Sequence, residues 1–361
     1  VNPLSDKVQD TAEELRILVL RYSSLGDVAL TLPALDELSS HYPKARLFYA
    51  TKSAYASVVK YHPAVERVLT LPGSGAFAFW DHLSEIKKLR PHAVLDLHDS
   101  LRTHLLKWFL RKMKIQKWVT YDRESKQRRR LVNHKTKEPV PHVVERYVKA
   151  LRGLGIQAAG PYPLIVPVPK STTSFIKNFC ELKGLKTSES VVALAPGSKW
   201  FTKQWPPRYW SGLADRLTEG YGAVIWWFGS PEERSEIEAI QSRMTVATSK
   251  RGLNLAGEGD LLQTIQLLGH CDLFVGNDSG LTHIAVGRGC RVVAIFGSTT
   301  PSLGFAPWGP HNTIVENASL PCRPCHVHGR HSCPLGHFKC MEDLTVDLVE
   351  GAVARAIKRS R

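Results

Sequence analysis

The sequence predicts an α/β protein of two domains, each a parallel sheet with helices on both faces. Three observations carry this. Short apolar runs rich in strand formers alternate with helical patterns along the whole chain. The turn at the end of most of these runs is small and polar, and usually bears glycine. The stretch GPYPLIVPVPK at Gly160–Lys170 carries four prolines, so it reads as an extended connector. A boundary there gives domains over 1–165 and 166–361 that face each other across a cleft.

The first element is Ile17–Tyr22, a strand, followed by the turn Ser23-Ser24-Leu25-Gly26 and a helical pattern. Asp27 stands at the far edge of that turn, where ligands sit in open parallel sheets. Pro33 implies a helix that is kinked or begins after Asp27. Arg46–Ala50 reads as a strand, Ser53–Tyr61 as a helix and Glu66–Leu71 as a strand. Gly73-Ser74-Gly75 reads as a flexible loop, Asp81–Leu89 as a helix closed by Pro91, and Ala93–Leu97 as a strand. An amphipathic helix follows His98–Arg102. The stretch Arg102–Lys137 is strongly basic, with Trp108, Phe109, Trp118 and Tyr121 interleaved. It reads either as a solvated face with a mobile loop or as an anion-binding surface. Val143–Leu154 is a helix.

The second half starts the same architecture again. Val191–Ala195, Ala223–Phe228, Leu273–Gly276 and Val292–Phe296 read as strands, with a helix at Leu261–Leu268 and another from Leu281. The strand ends carry Pro196-Gly197-Ser198, Gly229-Ser230-Pro231, Asn277-Asp278-Ser279-Gly280 and Gly297-Ser298-Thr299-Thr300-Pro301.

Composition narrows the function. The chain has 361 residues, 43% of them hydrophobic, so a sizeable core is expected. No apolar run approaches the roughly 18–20 residues needed to cross a bilayer. The N-terminal stretch VNPLSDKVQDTAEELR contains acids and no apolar core, unlike a signal peptide, which points to the cytosol. Lys+Arg number 48 against 33 Asp+Glu, a formal charge of +15, so an anionic partner is expected: nucleic acid, a membrane surface or a phosphorylated substrate. Seven cysteines in a cytosolic chain do not suggest a disulfide framework.

Several strand-end loops carry chemistry. Asp27 is either a helix N-cap or a general base. In the loop Asn277–His283, Gly280 allows close backbone approach, and the helix that follows offers free N–H groups suited to phosphate. The plainer reading there is an ordinary capped helix, with Asp278 or Ser279 as the cap. Ser198, Lys199, Thr202 and Lys203 lie in the loop Pro196–Pro206, where lysine suits phosphate, although Lys199 also fits a plain surface residue. No Walker-type or dinucleotide glycine motif is present. Cys322, Cys325, Cys333 and Cys340 form a C-x2-C-x7-C-x6-C series with histidines between them. Structural zinc is the weaker reading of that series, because the second pair is spread out; reduced, partly buried thiols are the stronger one. Cys180, Cys271 and Cys290 sit on apolar stretches and read as core.

Taken together, RYSSLGDVALTLPAL, APGSKWFTKQWP, GNDSGLTHIA followed by AIFGSTTP, and PCRPCHVHGRHSCPLGHFKCM resemble glycosyltransferase family 9, the ADP-heptose:lipopolysaccharide heptosyltransferases. The last stretch resembles the heptosyltransferase II branch in particular. The resemblance covers most of the chain. It implies a GT-B fold of two Rossmann-like domains, with the acceptor on the first and the sugar nucleotide on the second. It implies inverting, metal-independent transfer of L-glycero-D-manno-heptose from ADP-heptose to inner-core lipopolysaccharide, with no cofactor required. Asp27 falls on the family's proposed base. Ser198, Lys199 and Lys203 fall on its phosphate- and sugar-contacting positions, Lys203 neutralising charge on the ADP. Asp278, Ser279, Gly280 and His283 fall on its donor loop. The acidic ribose contact maps to Glu232 or Glu233, with Glu233 favoured.

Other readings keep the fold and change the chemistry: a different donor or acceptor, or a sugar-nucleotide epimerase. A nucleic-acid-binding protein fits the charge, but the sequence has no helix-turn-helix, RNP-type or zinc-finger pattern, so no nucleic-acid partner is expected. The basic residues Arg102, Arg111, Lys112, Arg128, Arg129 and Arg130 are expected on the acceptor-side domain. There they would hold the enzyme peripherally at the cytoplasmic face of the inner membrane, with Trp108 and Trp118 as interfacial anchors.

Overall fold

The chain is described from a computed structural model covering residues 15–73, 75–186 and 188–358. Most of the N-terminal stretch weighed above as a signal peptide, and Ser74 of the Gly73–Gly75 loop, lie outside the described residues. Two compact units emerge. One holds the chain up to Ser125 together with Pro141–Pro167, and the other holds Lys126–Val140 and everything from Val168.

The first unit is a five-stranded parallel sheet of β1 (Arg16–Leu20), β2 (Arg46–Lys52), β3 (Val65–Leu71), β4 (Ala93–Asp96) and β5 (Lys117–Thr120), in the order β3-β2-β1-β4-β5. β1 is central, so both its faces are covered and Ile17, Leu18, Val19 and Leu20 are fully buried. Up to Ala150 the helices in chain order are α1 (Leu25–Ala29), α2 (Leu32–His41), α3 (Ala76–Leu89), α4 (Leu101–Leu110), α5 (Ser125–Val132) and α6 (Val143–Ala150), of which all but α5 pack in this unit. Pro33 does not delay the first helix past Asp27. Instead the helix breaks in two, and the proline sits in the first turn of α2, where its missing N–H costs nothing. The helix expected at Ser53–Tyr61 is a 3-10 turn over Ser53–Val58, and α3 begins five residues before the expected Asp81.

The basic stretch differs from its reading as a mobile loop on the acceptor side. Lys117–Thr120 is the edge strand β5, and α5 belongs to the second unit. There Leu131 and Val140 pack on Leu303, Val140 N–H donates to the Ser302 carbonyl, and Arg128 is buried with its guanidinium 4.9 Å from the Phe305 ring centroid. Arg129 and Arg130 are exposed.

The second unit is a six-stranded parallel sheet of β6 (Val191–Ala195), β7 (Val224–Trp227), β8 (Gly252–Asn254), β9 (Leu273–Asn277), β10 (Arg291–Phe296) and β11 (Asn312–Glu316), ordered β11-β10-β9-β6-β7-β8. Its helices are α7 (Thr172–Leu182), α8 (Pro207–Tyr221), α9 (Arg234–Gln241), α10 (Val246–Ser249), α11 (Leu261–Leu268), α12 (Gly280–Gly287), α13 (Lys339–Glu342) and α14 (Val346–Lys358). Counted within the unit, this is the 3-2-1-4-5-6 order of dinucleotide-binding sheets. Strand order reverses between β6 and β9, so the loops after those two strands diverge and leave a crevice at their carboxyl ends. The core on the helical side joins Trp205, Trp210 and Trp227 to the α14 residues Val349, Ala352 and Val353. No helix of the described residues is long and apolar enough to cross a membrane.

Candidate active site

The first unit builds its site at the carboxyl ends of β1 and β4, the point where its own strand order reverses. The chain leaves β1 through Arg21 and Tyr22, turns at Ser23-Ser24 and enters α1. Ser24 is the N-cap, and Asp27, three residues on, reaches back to it in a capping box. Asp27 is therefore not the N-cap residue. Its Oδ2 accepts from the Ser24 N–H at 3.0 Å and the Ser24 hydroxyl at 2.7 Å, while Oδ1 lies 2.8 Å from Arg21 Nη2. Burial alone would raise the Asp27 pKa, but the Arg21 guanidinium and the two Ser24 hydrogen bonds outweigh it and hold the carboxyl below its ordinary value. Asp27 keeps 19% of its side-chain surface exposed, so an ionised carboxylate faces solvent at the strand end.

Arg21 ties this carboxylate to the neighbouring strand. Its Nη1 donates to the Leu97 carbonyl at 2.6 Å, beyond the end of β4, and its guanidinium lies 5.7 Å from the Tyr147 ring centroid. Asp96, at the end of β4, accepts from the His98 N–H at 2.9 Å, and His98 lies near Arg21 and Asp27. Burial raises the Asp96 carboxyl above its ordinary value and pushes the His98 imidazole down to about 3, so His98 is neutral at physiological pH. Arg102, on the first turn of α4, lies over the Tyr22 ring at 5.4 Å. The structure thus brings Asp27, Arg21 and Arg102 to one end of the first sheet.

The second unit gathers its polar groups at the β6 and β9 loops. Lys203 Nζ lies 2.7 Å from Asp278 Oδ2, which also accepts from the Thr299 hydroxyl at 2.7 Å. Lysine and aspartate are each only 13% exposed. Asp278 is thus committed to Lys203 rather than to a helix cap. Ser279 is the N-cap of α12 and makes no side-chain capping bond. The N–H groups of the first turn, from Gly280 on, therefore point outward with the positive end of the helix dipole. His283 is buried in that first turn. Asn277 fastens the two loops together, donating to the Pro196 carbonyl at 2.6 Å and accepting from the Trp205 N–H at 3.1 Å.

Ser198 is buried in the β6 loop, and its carbonyl accepts from the Gln204 amide at 2.8 Å. Lys199 is exposed, its ammonium 5.4 Å from the Trp200 ring centroid. Glu232 is exposed. Glu233 caps the turn after β7 through the Ser230 N–H at 2.8 Å, and its carboxylate lies against Gly197 so closely that a Cβ there would collide with it. Of the two acids, only Glu233 therefore reaches the mouth of the β6 loop.

The late cysteine loop forms a wall beside Lys203, held by backbone and arginine rather than by thiolates. Arg323, with a side chain 2% exposed, donates to the carbonyls of Phe296, Gly297, Asn317 and Thr299 and pairs with Glu316 at 2.8 Å. The Thr202 hydroxyl accepts from the Arg330 N–H at 2.8 Å, and Thr202 N–H donates to the Arg330 carbonyl at 3.1 Å. Gly329, at φ +107°, packs where a Cβ would strike Trp200. Among the described residues no three His, Cys, Asp or Glu side chains gather into a group able to hold a metal ion. Burial pushes the Cys340 thiol up to about 12. Cys322 Sγ lies 3.9 Å from His337 Nε2. Cys180, Cys271 and Cys290 are buried core.

Three of these residues have no role in the sequence reading: Arg21, Arg323 and Arg330. Arg21 follows the apolar run of β1, and a lone charge there is its only signal. Thr202 stands in a candidate loop, but its pairing with Arg330, like the carbonyls that Arg323 binds, joins parts of the chain that no local spacing links.

Residues 82–335 match the family model for glycosyltransferase family 9 (heptosyltransferase). Lipooligosaccharide heptosyltransferase 2 of Haemophilus ducreyi is 26% identical, over 80% of this chain and 85% of its own. Lipopolysaccharide heptosyltransferase 1 of Pseudomonas aeruginosa is 27% identical, over 86% of each chain. Among solved structures, the glycosyl transferase family 9 protein of Veillonella parvula superposes with a TM-score of 0.80 at 21% identity, covering 97% of this chain and all of that one. The ADP-heptose lps heptosyltransferase II of E. coli superposes at 0.75 and 22% identity, covering 96% and 99%. These two carry the fold, the GT-B arrangement of two parallel α/β sheets.

Proposed function

Because this chain belongs to glycosyltransferase family 9, the heptosyltransferase family, we propose that it moves L-glycero-D-manno-heptose from ADP-heptose to the inner core of lipopolysaccharide, with inversion. The observation that carries the reading is the fixed, ionised Asp27 carboxylate at the reversal point of one sheet, in a chain whose other sheet has the nucleotide-binding strand order. In this reaction the acceptor oxygen bonds to the anomeric carbon as the carbon–oxygen bond to the diphosphate breaks. ADP leaves with the electron pair, and the hydroxyl proton passes to Asp27.

A carboxylate paired to arginine is a weak base, and a weak base suffices here. The hydroxyl becomes strongly acidic only as its oxygen bonds to an oxocarbenium-like carbon, so the proton leaves late. Asp27 Oδ2 already accepts twice, from the Ser24 N–H and hydroxyl, whereas Oδ1 faces Arg21 and keeps a further lone pair for the acceptor proton. On the donor side, Lys203 and the N–H groups of the first turn of α12 are the groups suited to charge growing on the diphosphate. Ser198 and Glu233 would position the sugar nucleotide, Glu233 at the ribose, with Asp278 orienting Lys203 and His283 supporting the turn. Lys199 would act at the exposed rim. No metal or cofactor is required, because cations and backbone dipoles already supply the stabilisation. A lipid-carried acceptor would bring the enzyme to a membrane surface, and the reading sets this at the cytoplasmic face of the inner membrane.

The test is mass spectrometry of ADP-heptose turnover with truncated lipopolysaccharide acceptors of defined length. The expected result is one heptose added to one acceptor per ADP released. Conversion of the sugar nucleotide without acceptor would point to an epimerase instead, and extension from a different sugar nucleotide would reassign the donor.

A further inference from the structure

We propose that α3 and α4 form a docking face for the surface of an anionic lipid bilayer. α4 is apolar on two opposite sides. Thr103, Leu106 and Leu110 are buried against the sheet. Leu101, Leu105 and Trp108, spaced i, i+4 and i+7, make a second stripe that is 76%, 43% and 52% exposed. A helix lying on a domain surface needs only one apolar stripe, so the second marks a partner. α3 adds Phe77 and Trp80, 89% and 50% exposed. The two helices share one continuous patch: the Trp80 ring lies 4.8 Å from Phe109, and Phe109 lies 4.6 Å from Trp108.

Charge identifies what covers the patch. From Leu101 to Tyr121 the chain carries Arg102, Lys107, Arg111, Lys112, Lys114 and Lys117 and no Asp or Glu. The last five are exposed, and the Arg111 guanidinium lies 4.5 Å from the Trp108 ring centroid. Tryptophans beside lysines and arginines, around leucines and a phenylalanine, match the layered chemistry of a bilayer surface: phosphate outside, ester zone next, acyl chains beneath. A second copy of this chain would bring the same cations face to face. A nucleic acid would leave Leu101, Leu105 and Phe77 without apolar partners. The face adjoins Arg102 on α4 and differs from Arg128–Arg130, whose segment packs on the other unit.

The biological purpose rests on the reading of a lipid-carried acceptor, but the test is scored without turnover. The full chain is floated with phosphatidylcholine vesicles, with and without about 30% phosphatidylglycerol. Binding is expected only with the anionic lipid, falling about tenfold or more as salt rises to about 0.5 M. Replacing Phe77, Trp80, Leu105 and Trp108 together by serine should cut binding about tenfold or more, with turnover on a deacylated, water-soluble acceptor unchanged. In the unaltered protein, brominated lipids should quench tryptophan fluorescence, and Trp108→Phe should lessen the quenching. This second measurement decides the matter if the fourfold variant misfolds. Absent binding to anionic vesicles, binding that survives the variant, or quenching indifferent to Trp108 overturns the proposal. So does concentration-dependent self-association abolished by the same substitutions, or duplex DNA displacing the vesicles. Vesicle binding by a chain that fails to transfer heptose would instead overturn the transferase reading and leave the docking face standing.

Discussion

Asp27→Asn keeps the shape of the side chain and removes the proton acceptor. Transfer should fall by about 10²–10⁴-fold while ADP-heptose affinity, read by calorimetry, stays near that of the parent; turnover close to normal would return Asp27 to a purely capping role. Arg21 sets the pH behaviour of the same group. Because the folded carboxyl is held below its ordinary value, the stability gained from its pairing is present above the unfolded pKa and disappears as pH falls through the lower, folded one. The acid limb of the rate profile should accordingly lie below the usual carboxylate range. In Arg21→Met, burial is opposed only by the two Ser24 hydrogen bonds, so that limb should move toward neutral pH, whereas Arg21→Lys should restore most of the original profile. A limb that stays in place in Arg21→Met would show that Asp27 is not the titrating group. The lysine–aspartate pair on the donor side behaves differently. Lys203→Ala removes a cation and leaves Asp278 facing the leaving diphosphate, so turnover should drop about a hundredfold, measured as ADP release. Unchanged rate and unchanged affinity would make the pair structural. At this scale sequence reasoning located Asp27, Lys203 and Asp278 because they stand in strand-end loops. It could not find Arg21, since one charge at the end of an apolar run has no periodicity to violate.

The elements that position these residues were legible wherever small residues end a strand. β6 and α11 lie at the expected bounds, and β9 and β10 differ only by a residue at one end. β5 and α5 were obscured because lysine and arginine dominate Arg102–Lys137, although Trp118 and Val119 in β5 and Leu131 in α5 pack inward. In the cysteine loop the spread-out spacing already weighs against zinc, but Arg323 binding four carbonyls is invisible to spacing. The packing of one element against another also gives a direct probe of the donor side. Gly197→Ala adds a methyl where the Glu233 carboxylate lies and must displace it. Glu233 is the far end of a flexible side chain, so the fold should persist, while ADP-heptose affinity should fall about ten- to hundredfold by calorimetry. Undiminished affinity would remove Glu233 from the ribose site.

For the molecule as a whole, exhaustive chelation should leave transfer intact, since lysine and backbone N–H groups supply the positive charge. Activity lost and then regained only with a divalent ion would contradict this. The two-sheet architecture was evident from the repeated alternation of strand and helix, but the path of the chain between the sheets was not. It passes from the first unit to the second at Ser125, returns at Pro141 and leaves again after Pro167. That itinerary constrains how the protein exchanges parts with its relatives. A chimera joined at one crossover near residue 167 would carry Lys126–Val140 of one parent against Leu303 and Phe305 of the other. Recombination that preserves function must therefore move this short segment together with the second half, so that the inherited module is discontinuous in the gene although it is one body in the fold.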